Sequence, residues 1–198
     1  MLSTLALLAL LLLQSRAPFY WGARAPVVAP GKPARASLEA RVTEVHAAVD
    51  AGDLVLRLSF DREVRSALEQ SDGTPTSGRL NAVVYFDVDS ERETGFAGAS
   101  NDPRTGCERR LEIGALFVGE DPEEDREAVA LVTTSLAEID PRGRQSRIWN
   151  ADEQSDPSPL LVWRDWIEMR IPGRLLGVQP GSRLVLSQYG GTWSGLIP

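Results

Sequence analysis

Apolar and polar residues alternate along much of the chain after residue 40. Leu54, Leu56, Leu58 and Phe60 occupy every second position, so their side chains point to one face of an extended strand. Six other segments are also predicted as strands from alternation or from their content of β-branched residues. With this one, they cover residues 41–49, 54–60, 80–88, 109–117, 128–139, 166–171 and 183–189.

The segments between these strands are rich in turn-forming residues. Asp50-Ala51-Gly52-Asp53 predicts a hairpin turn between the first two strands. Helix is predicted only at residues 63–70 and 173–176, and no strand-helix-strand rhythm is present. We therefore predict an all-β fold with very little helix, an antiparallel β-sandwich of the jelly-roll or immunoglobulin-like kind.

The N-terminus carries an apolar run over residues 2–13, interrupted only by Ser3 and Thr4. A bilayer span needs about 20 apolar residues, so the run suits a secretory leader. Two small-x-small cleavage sites, Ser15-Arg16-Ala17 and Ala23-Arg24-Ala25, are each followed by a proline that hinders cleavage. Residues 1–25 are therefore predicted as a cleaved leader or a retained signal-anchor. Either would make the protein extracytoplasmic (periplasmic, secreted or envelope-anchored), with membrane contact only if the leader is uncleaved.

Residues 26–36 are rich in proline and alanine and lack periodicity, so they are predicted as a linker before a domain at 37–198. The formal net charge is -7. Because no basic block with interleaved aromatic residues is present, we expect no nucleic-acid partner. Cys107 is the single cysteine, so no intrachain disulfide forms, and we predict that it is a small core or turn residue.

The residues needed for common catalytic sites are scarce. His46 is the single histidine, and Gly191-Thr192-Trp193-Ser194-Gly195 has its serine in the wrong place for a nucleophile elbow. One histidine and one cysteine do not make a zinc site. We expect a non-catalytic protein. A secreted hydrolase that uses two of the 28 acidic residues is the third hypothesis.

The sharpest local motif follows the strand at residues 80–88. Asp87 and Asp89 lie two positions apart, so both side chains project from the same face of the chain. Calcium takes six to eight oxygen ligands, and Glu93 and Glu108 are predicted to complete such a site. The alternative is that both aspartates are solvated residues that start an Asx-type turn.

This motif belongs to a longer series: Phe86-Asp87-Val88-Asp89, Thr94-Gly95, Gly106-Cys107-Glu108, Ile171-Pro172 and Leu176-Gly177. The series resembles the DOMON-like superfamily of extracytoplasmic β-sandwiches, which includes the family 9 carbohydrate-binding modules. The resemblance spans about residues 40–190. It implies a sandwich fold, favours a calcium ion at the aspartates and suggests a carbohydrate ligand.

Aromatic rings stack on the apolar faces of sugars, so four aromatic residues are the candidate ligand-binding residues: Trp163, Trp166, Tyr189 and Trp193. Packing in the core is the alternative for each of them. The leading hypothesis is an exported, non-catalytic binding module, stabilised by calcium, that binds carbohydrate. Its rival is a structural or protein-interaction domain of the cell envelope that has no small ligand.

Overall fold

The computed structural model describes residues 18–31, 38–69, 79–102, 105–118, 129–155 and 158–198. These ranges contain ten strands: β1 Val42–Asp50, β2 Asp53–Phe60, β3 Ala82–Asp87, β4 Arg109–Val118, β5 Val129–Ile139, β6 Gln145–Asp152, β7 Leu160–Trp163, β8 Trp166–Ile171, β9 Arg183–Gln188 and β10 Gly191–Leu196. Short helices cover Val64–Ala67 and Gly173–Leu176, and one 3₁₀ turn covers Ala97–Ala99. The predicted all-β class is confirmed. None of the helices in these ranges is long and apolar enough to cross a membrane.

The strands form two antiparallel sheets. One sheet has the order β1-β2-β8-β7 and the other has the order β10-β9-β3-β4-β5-β6. Inward side chains of both sheets meet in one core, where Leu56 and Met169 of the first sheet and Phe86 and Ile113 of the second are fully buried. Burial of these apolar faces is the main force that holds the sheets together.

The seven strands predicted from the sequence correspond to β1–β5, β8 and β9, and the sequence pattern did not predict β6, β7 and β10. β6 and β10 are edge strands, and most of their side chains are exposed or only half-buried, so little alternation marks them. β7 is only four residues long. The helix predicted at 173–176 is present. The one predicted at 63–70 is shorter, and Gln70 lies outside the described residues.

The packed part of the chain begins earlier than the predicted domain start at residue 37. Trp21 is buried, and Val28 forms an antiparallel bridge with Val45 of β1. Part of the predicted leader and part of the predicted linker therefore lie against the sandwich. We call residues 18–31 the strap. Residues 1–17 lie outside the described ranges.

Candidate functional site

The predicted cation site lies where β3 ends and β4 begins. Both strands are neighbours in the six-stranded sheet, and the amide of Glu108 donates to the carbonyl of Phe86 at 3.0 Å. This pairing places Glu108 beside the Asp87-Val88-Asp89 segment. Carboxylate oxygens of Asp87, Asp89 and Glu108 lie within 4.8 Å of one another. We call these three residues the carboxylate cluster.

The loop between β3 and β4 folds back over the cluster because two glycines allow close backbone contact. Phe96 and Cys107 pair through backbone hydrogen bonds of 2.8 and 3.3 Å. A Cβ atom on Gly95 would lie 2.6 Å from the backbone nitrogen of Cys107, and one on Gly106 would lie 2.5 Å from the carbonyl oxygen of Arg92. Glycine is therefore required at both positions, and the Thr-Gly turn brings Thr94 to the carboxylates.

Backbone amides hold each carboxylate of the cluster. Asp87 Oδ1 accepts from the amide of Ser90 at 2.7 Å, and Asp89 Oδ1 accepts from the amide of Glu91 at 2.8 Å. Glu108 Oε2 accepts from the amide of Val88 at 2.9 Å. The Asx-type turn is therefore present. It is compatible with a cation site, because Oδ2 of each aspartate takes no part in these bonds.

Thr94 adds a hydroxyl to the cluster that sequence reasoning had not assigned. Its Oγ1 lies 3.1 Å from Asp89 Oδ1, 3.2 Å from Glu108 Oε1 and 2.8 Å from the carbonyl oxygen of Glu91. A hydroxyl has one proton to donate, so it satisfies only one of these three acceptors. The remaining oxygen–oxygen contacts become favourable when a cation or an additional proton lies among them.

The pKa shifts in the cluster also favour a cation or an additional proton among these oxygens. Burial raises the pKa of Asp87, and the charge of Asp89 raises it further. Burial likewise raises the pKa of Glu108, to which Asp89 and Asp87 also contribute. Within the described ranges, no basic side chain forms an ion pair with any of the three carboxylates. Arg183 of β9, which pairs with Asp87 in the sheet, lowers the pKa of Asp87 through its charge but does not outweigh burial, so the negative charge of the cluster is only partly neutralised.

The donor set fits a hard cation. It consists of carboxylate oxygens and the Thr94 hydroxyl, and oxygen ligands of this kind are the ones that calcium prefers. Cys107 is fully buried, and burial is the main cause that raises its pKa to about 12, so its thiol stays protonated. Glu93, predicted as a ligand, is exposed and lies outside the group that the structure brings together.

A cleft of about 420 Å³ opens beside the cluster. Thr94 and Glu108 form part of its wall, together with Arg109, Glu138 and Arg144. A volume of this size suits a small ligand. The carboxylate cluster therefore lies beside a polar surface depression.

The four candidate aromatic residues form two separate pairs. Trp163 and Trp166 face each other across the β7–β8 hairpin of the four-stranded sheet. Tyr189 and Trp193 lie at the β9–β10 hairpin, the edge of the six-stranded sheet. No ring contact joins any two of the four in the part of the chain that the structure describes. The structure therefore does not bring them together into one site.

Trp163 is the most open of the four, with 58% of its surface exposed. Trp166 is half-buried, and the guanidinium of Arg57 lies 4.3 Å from its ring centroid. The turn between the two tryptophans, Arg164 and Asp165, borders a polar cleft of about 580 Å³. Tyr189 and Trp193 are each about one-third exposed. None of the four is buried in the core.

A scan against protein-family models and searches of curated proteins and of solved structures returned no match.

Proposed function

We propose that this chain is an extracytoplasmic, non-catalytic binding module in which a calcium ion held by the carboxylate cluster stabilises the β3–β4 loop. The observation that carries the proposal is the approach of Asp87, Asp89 and Glu108 to within 4.8 Å of one another. The lack of a basic ion-pair partner for them within the described ranges adds to it. The motif resemblance described above also favours calcium at these residues.

Calcium at this position has a clear physical role. It would offset the repulsion among three carboxylates and coordinate oxygens that now share the single Thr94 proton. It would also tie the end of β3 to the start of β4, so the loop between them would be fixed at both ends. The adjoining cleft leaves room for water or for a polar ligand to complete the coordination.

Thermal unfolding with calcium and with chelator tests this role. A single bound ion at 100 times its dissociation constant adds about 2.7 kcal/mol of stability. For a domain of this size, that corresponds to a rise in Tm of roughly 5–10 °C. Magnesium should have a smaller effect, because it demands a stricter octahedral geometry. An unchanged midpoint with calcium would remove the metal from the proposal.

Carbohydrate is the ligand class that we propose for the module, bound at Trp163 and Trp166. The support is the exposed face of Trp163, the Arg57 guanidinium that packs on Trp166, and the polar cleft at the turn between them. A flat ring beside hydrogen-bonding groups suits a sugar, which has one apolar face and a rim of hydroxyls.

A glycan array with the purified protein tests this ligand class. We expect Trp163→Ala to weaken binding at least about tenfold, as loss of a central aromatic contact does. Trp193→Ala is the matched control on the other sheet, and we expect it to bind like wild type. If no glycan binds, the rival hypothesis of an interaction domain that contacts another envelope protein takes precedence.

A further inference from the structure

The strap wraps around β1, the end strand of the four-stranded sheet. The amides of Val27 and Val28 donate to the carbonyl of Val45 at 2.7 and 3.2 Å, and the amide of Val45 donates back to Val28 at 2.8 Å. Further along, the amide of Gly31 donates to the carbonyl of Thr43 at 3.2 Å. The second half of the strap thus pairs with a strand edge that would otherwise be open.

The first half of the strap crosses the outer face of the same sheet and is held by Glu168 of β8. Glu168 Oε1 accepts from the amide of Phe19 at 2.7 Å, and Oε2 accepts from the indole nitrogen of Trp21 at 2.7 Å. Arg57 of β2 donates to the same Oε2 through Nε at 3.0 Å and Nη2 at 2.8 Å. Only 6% of Glu168 is exposed. We call Trp21, Arg57 and Glu168 the clasp.

The rings of the strap bury apolar surface around this clasp. Trp21 packs on Ala48 and Val55 of the outer face, and the Phe19 ring meets it edge-on at 4.9 Å. The Arg57 guanidinium lies between Trp21 and Trp166, 5.5 and 4.3 Å from their ring centroids. The strap therefore helps to position Arg57 beside one of the proposed ligand-binding tryptophans.

The strap also reaches the six-stranded sheet. Val28 belongs to the main core between the sheets, and the carbonyl of Val27 lies so close to Gly195 of β10 that a side chain there would overlap it. The strap therefore contacts the edge strands of both sheets, β1 and β10. Its removal would open the core at this side.

We propose that the strap stays on the mature domain and that any removal of the leader takes place N-terminal to Phe19. This inference rests on the proposed export of the chain. Hydrolysis adds water across one peptide bond and leaves a carboxylate and a free amine. After Ala25 it would remove Phe19 and Trp21 and leave Glu168 with Arg57 alone. After Ala17 it would leave the strap intact, with Pro18 as the first residue.

The N-terminus of the exported protein tests the inference. The full chain is expressed in a secreting host, and the exported, folded protein is analysed by intact mass and N-terminal sequencing. We expect a first residue at or before Phe19, which includes the uncleaved chain. A folded product that starts at Pro26, or anywhere after Phe19, would overturn the proposal.

Substitution in the full chain tests whether the strap supports the domain. We expect Trp21→Ala to lower Tm by roughly 10 °C, as loss of a buried aromatic side chain does. Tyr20→Ala is the matched control, because Tyr20 is 86% exposed, and it should unfold like wild type. If Trp21→Ala does not fold, Trp21→Phe keeps a smaller ring, loses the bond to Glu168 and part of the buried indole surface, and should lower Tm by a few degrees.

The two proposals fail in different ways. The rise in Tm on addition of calcium should persist in Trp21→Phe, because the carboxylate cluster lies on the other sheet. A normal calcium response with no loss of stability in either Trp21 variant would overturn the strap proposal and leave the metal proposal intact. A loss of stability in the Trp21 variants, together with no calcium response in wild type, would overturn the metal proposal and leave the strap proposal intact.

Discussion

Two buried carboxylates in the described part of the chain, Glu168 and Asp87, differ in how their charge is compensated. On the four-stranded sheet, Glu168 is paired with the Arg57 guanidinium and accepts two more hydrogen bonds from the strap. On the six-stranded sheet, Asp87 is only 2% exposed, lies close to two other acids, and has no ion-pair partner within the described ranges, although the charge of Arg183 offsets its burial in part. A buried charge is tolerated when it is paired. The first site is therefore complete within the chain, whereas the second is the one at which we propose an external cation.

The largest loss of stability should follow from a substitution at Glu168. Glu168→Ala leaves the Arg57 guanidinium without its partner and removes both anchors of the strap. Loss of one member of a buried ion pair costs about 3–5 kcal/mol of unfolding free energy. Chemical denaturation of the full chain measures this loss.

Glu138→Ala is the matched control for that variant. Glu138 also lies in a strand and pairs with an arginine, Arg109, but its side chain is 55% exposed. An exposed ion pair contributes about 1 kcal/mol or less, so this variant should resemble wild type. Equal losses from the two variants would contradict the distinction between a buried and a surface pair.

The second largest effect is on the calcium-dependent stability that we propose for the carboxylate cluster. Asp87→Asn keeps the oxygen that accepts from Ser90 but removes one negative charge from the cluster. We expect the variant to lose the calcium-dependent gain, about 2.7 kcal/mol at 100 times the wild-type dissociation constant. Thermal melts with calcium and with chelator measure it. Glu93→Gln is the control, because Glu93 lies in the same loop but outside the cluster, and this variant should keep the calcium-dependent gain in stability. If Glu93→Gln loses that gain, the ligand set differs from the one proposed.

Asp87→Asn should also change the pH dependence of stability in the absence of calcium. Because the pKa values of Asp87 and Glu108 are raised in the folded protein, their contribution to stability is present at acidic pH, below the ordinary carboxyl values. It is lost as pH rises through the folded values. Asp87→Asn should therefore be at least as stable as wild type at neutral pH in chelator. A less stable variant under those conditions would argue that the Asp87 charge is already compensated.

The two sites also differ in how far the sequence predicts them. Asp87 and Asp89 are separated by one residue, and pairing of consecutive strands brings Glu108 beside them, so local pattern was sufficient. Trp21 and Glu168 are 147 positions apart, and Arg57 and Glu168 are 111 apart. No periodicity relates such residues. The strap was therefore interpreted as leader and linker from its composition.

Loop geometry sets a second limit on prediction. From its spacing, Glu93 was predicted as a ligand of the cation site. Whether a loop side chain turns inward depends on the close packing at Gly95 and Gly106, and this packing brings Thr94 to the carboxylates instead of Glu93. Strands were predicted where one face is buried, and the alternation was then visible. Edge strands such as β6 and β10 expose too much of both faces for that signal to appear.

The smallest effect is chemical and reports on the loop that covers the cluster. Cys107 is fully buried, and its pKa is raised to about 12 first by burial and then by the charges of Asp87 and Glu108. Because only the thiolate reacts and the buried thiol stays protonated, folded Cys107 should react far more slowly at pH 8 with an aromatic disulfide reagent than an exposed thiol does.

Calcium should make that slow reaction slower still. Labelling of Cys107 requires the β3–β4 loop to leave its backbone pairing between Phe96 and Cys107. An ion that fixes both ends of the loop lowers the population of this open state. Trp21→Phe is the control, because weakening the strap on the other sheet should leave the ratio of rates with and without calcium unchanged. Equal labelling rates in calcium and in chelator would mean that the cluster does not hold the loop through an ion.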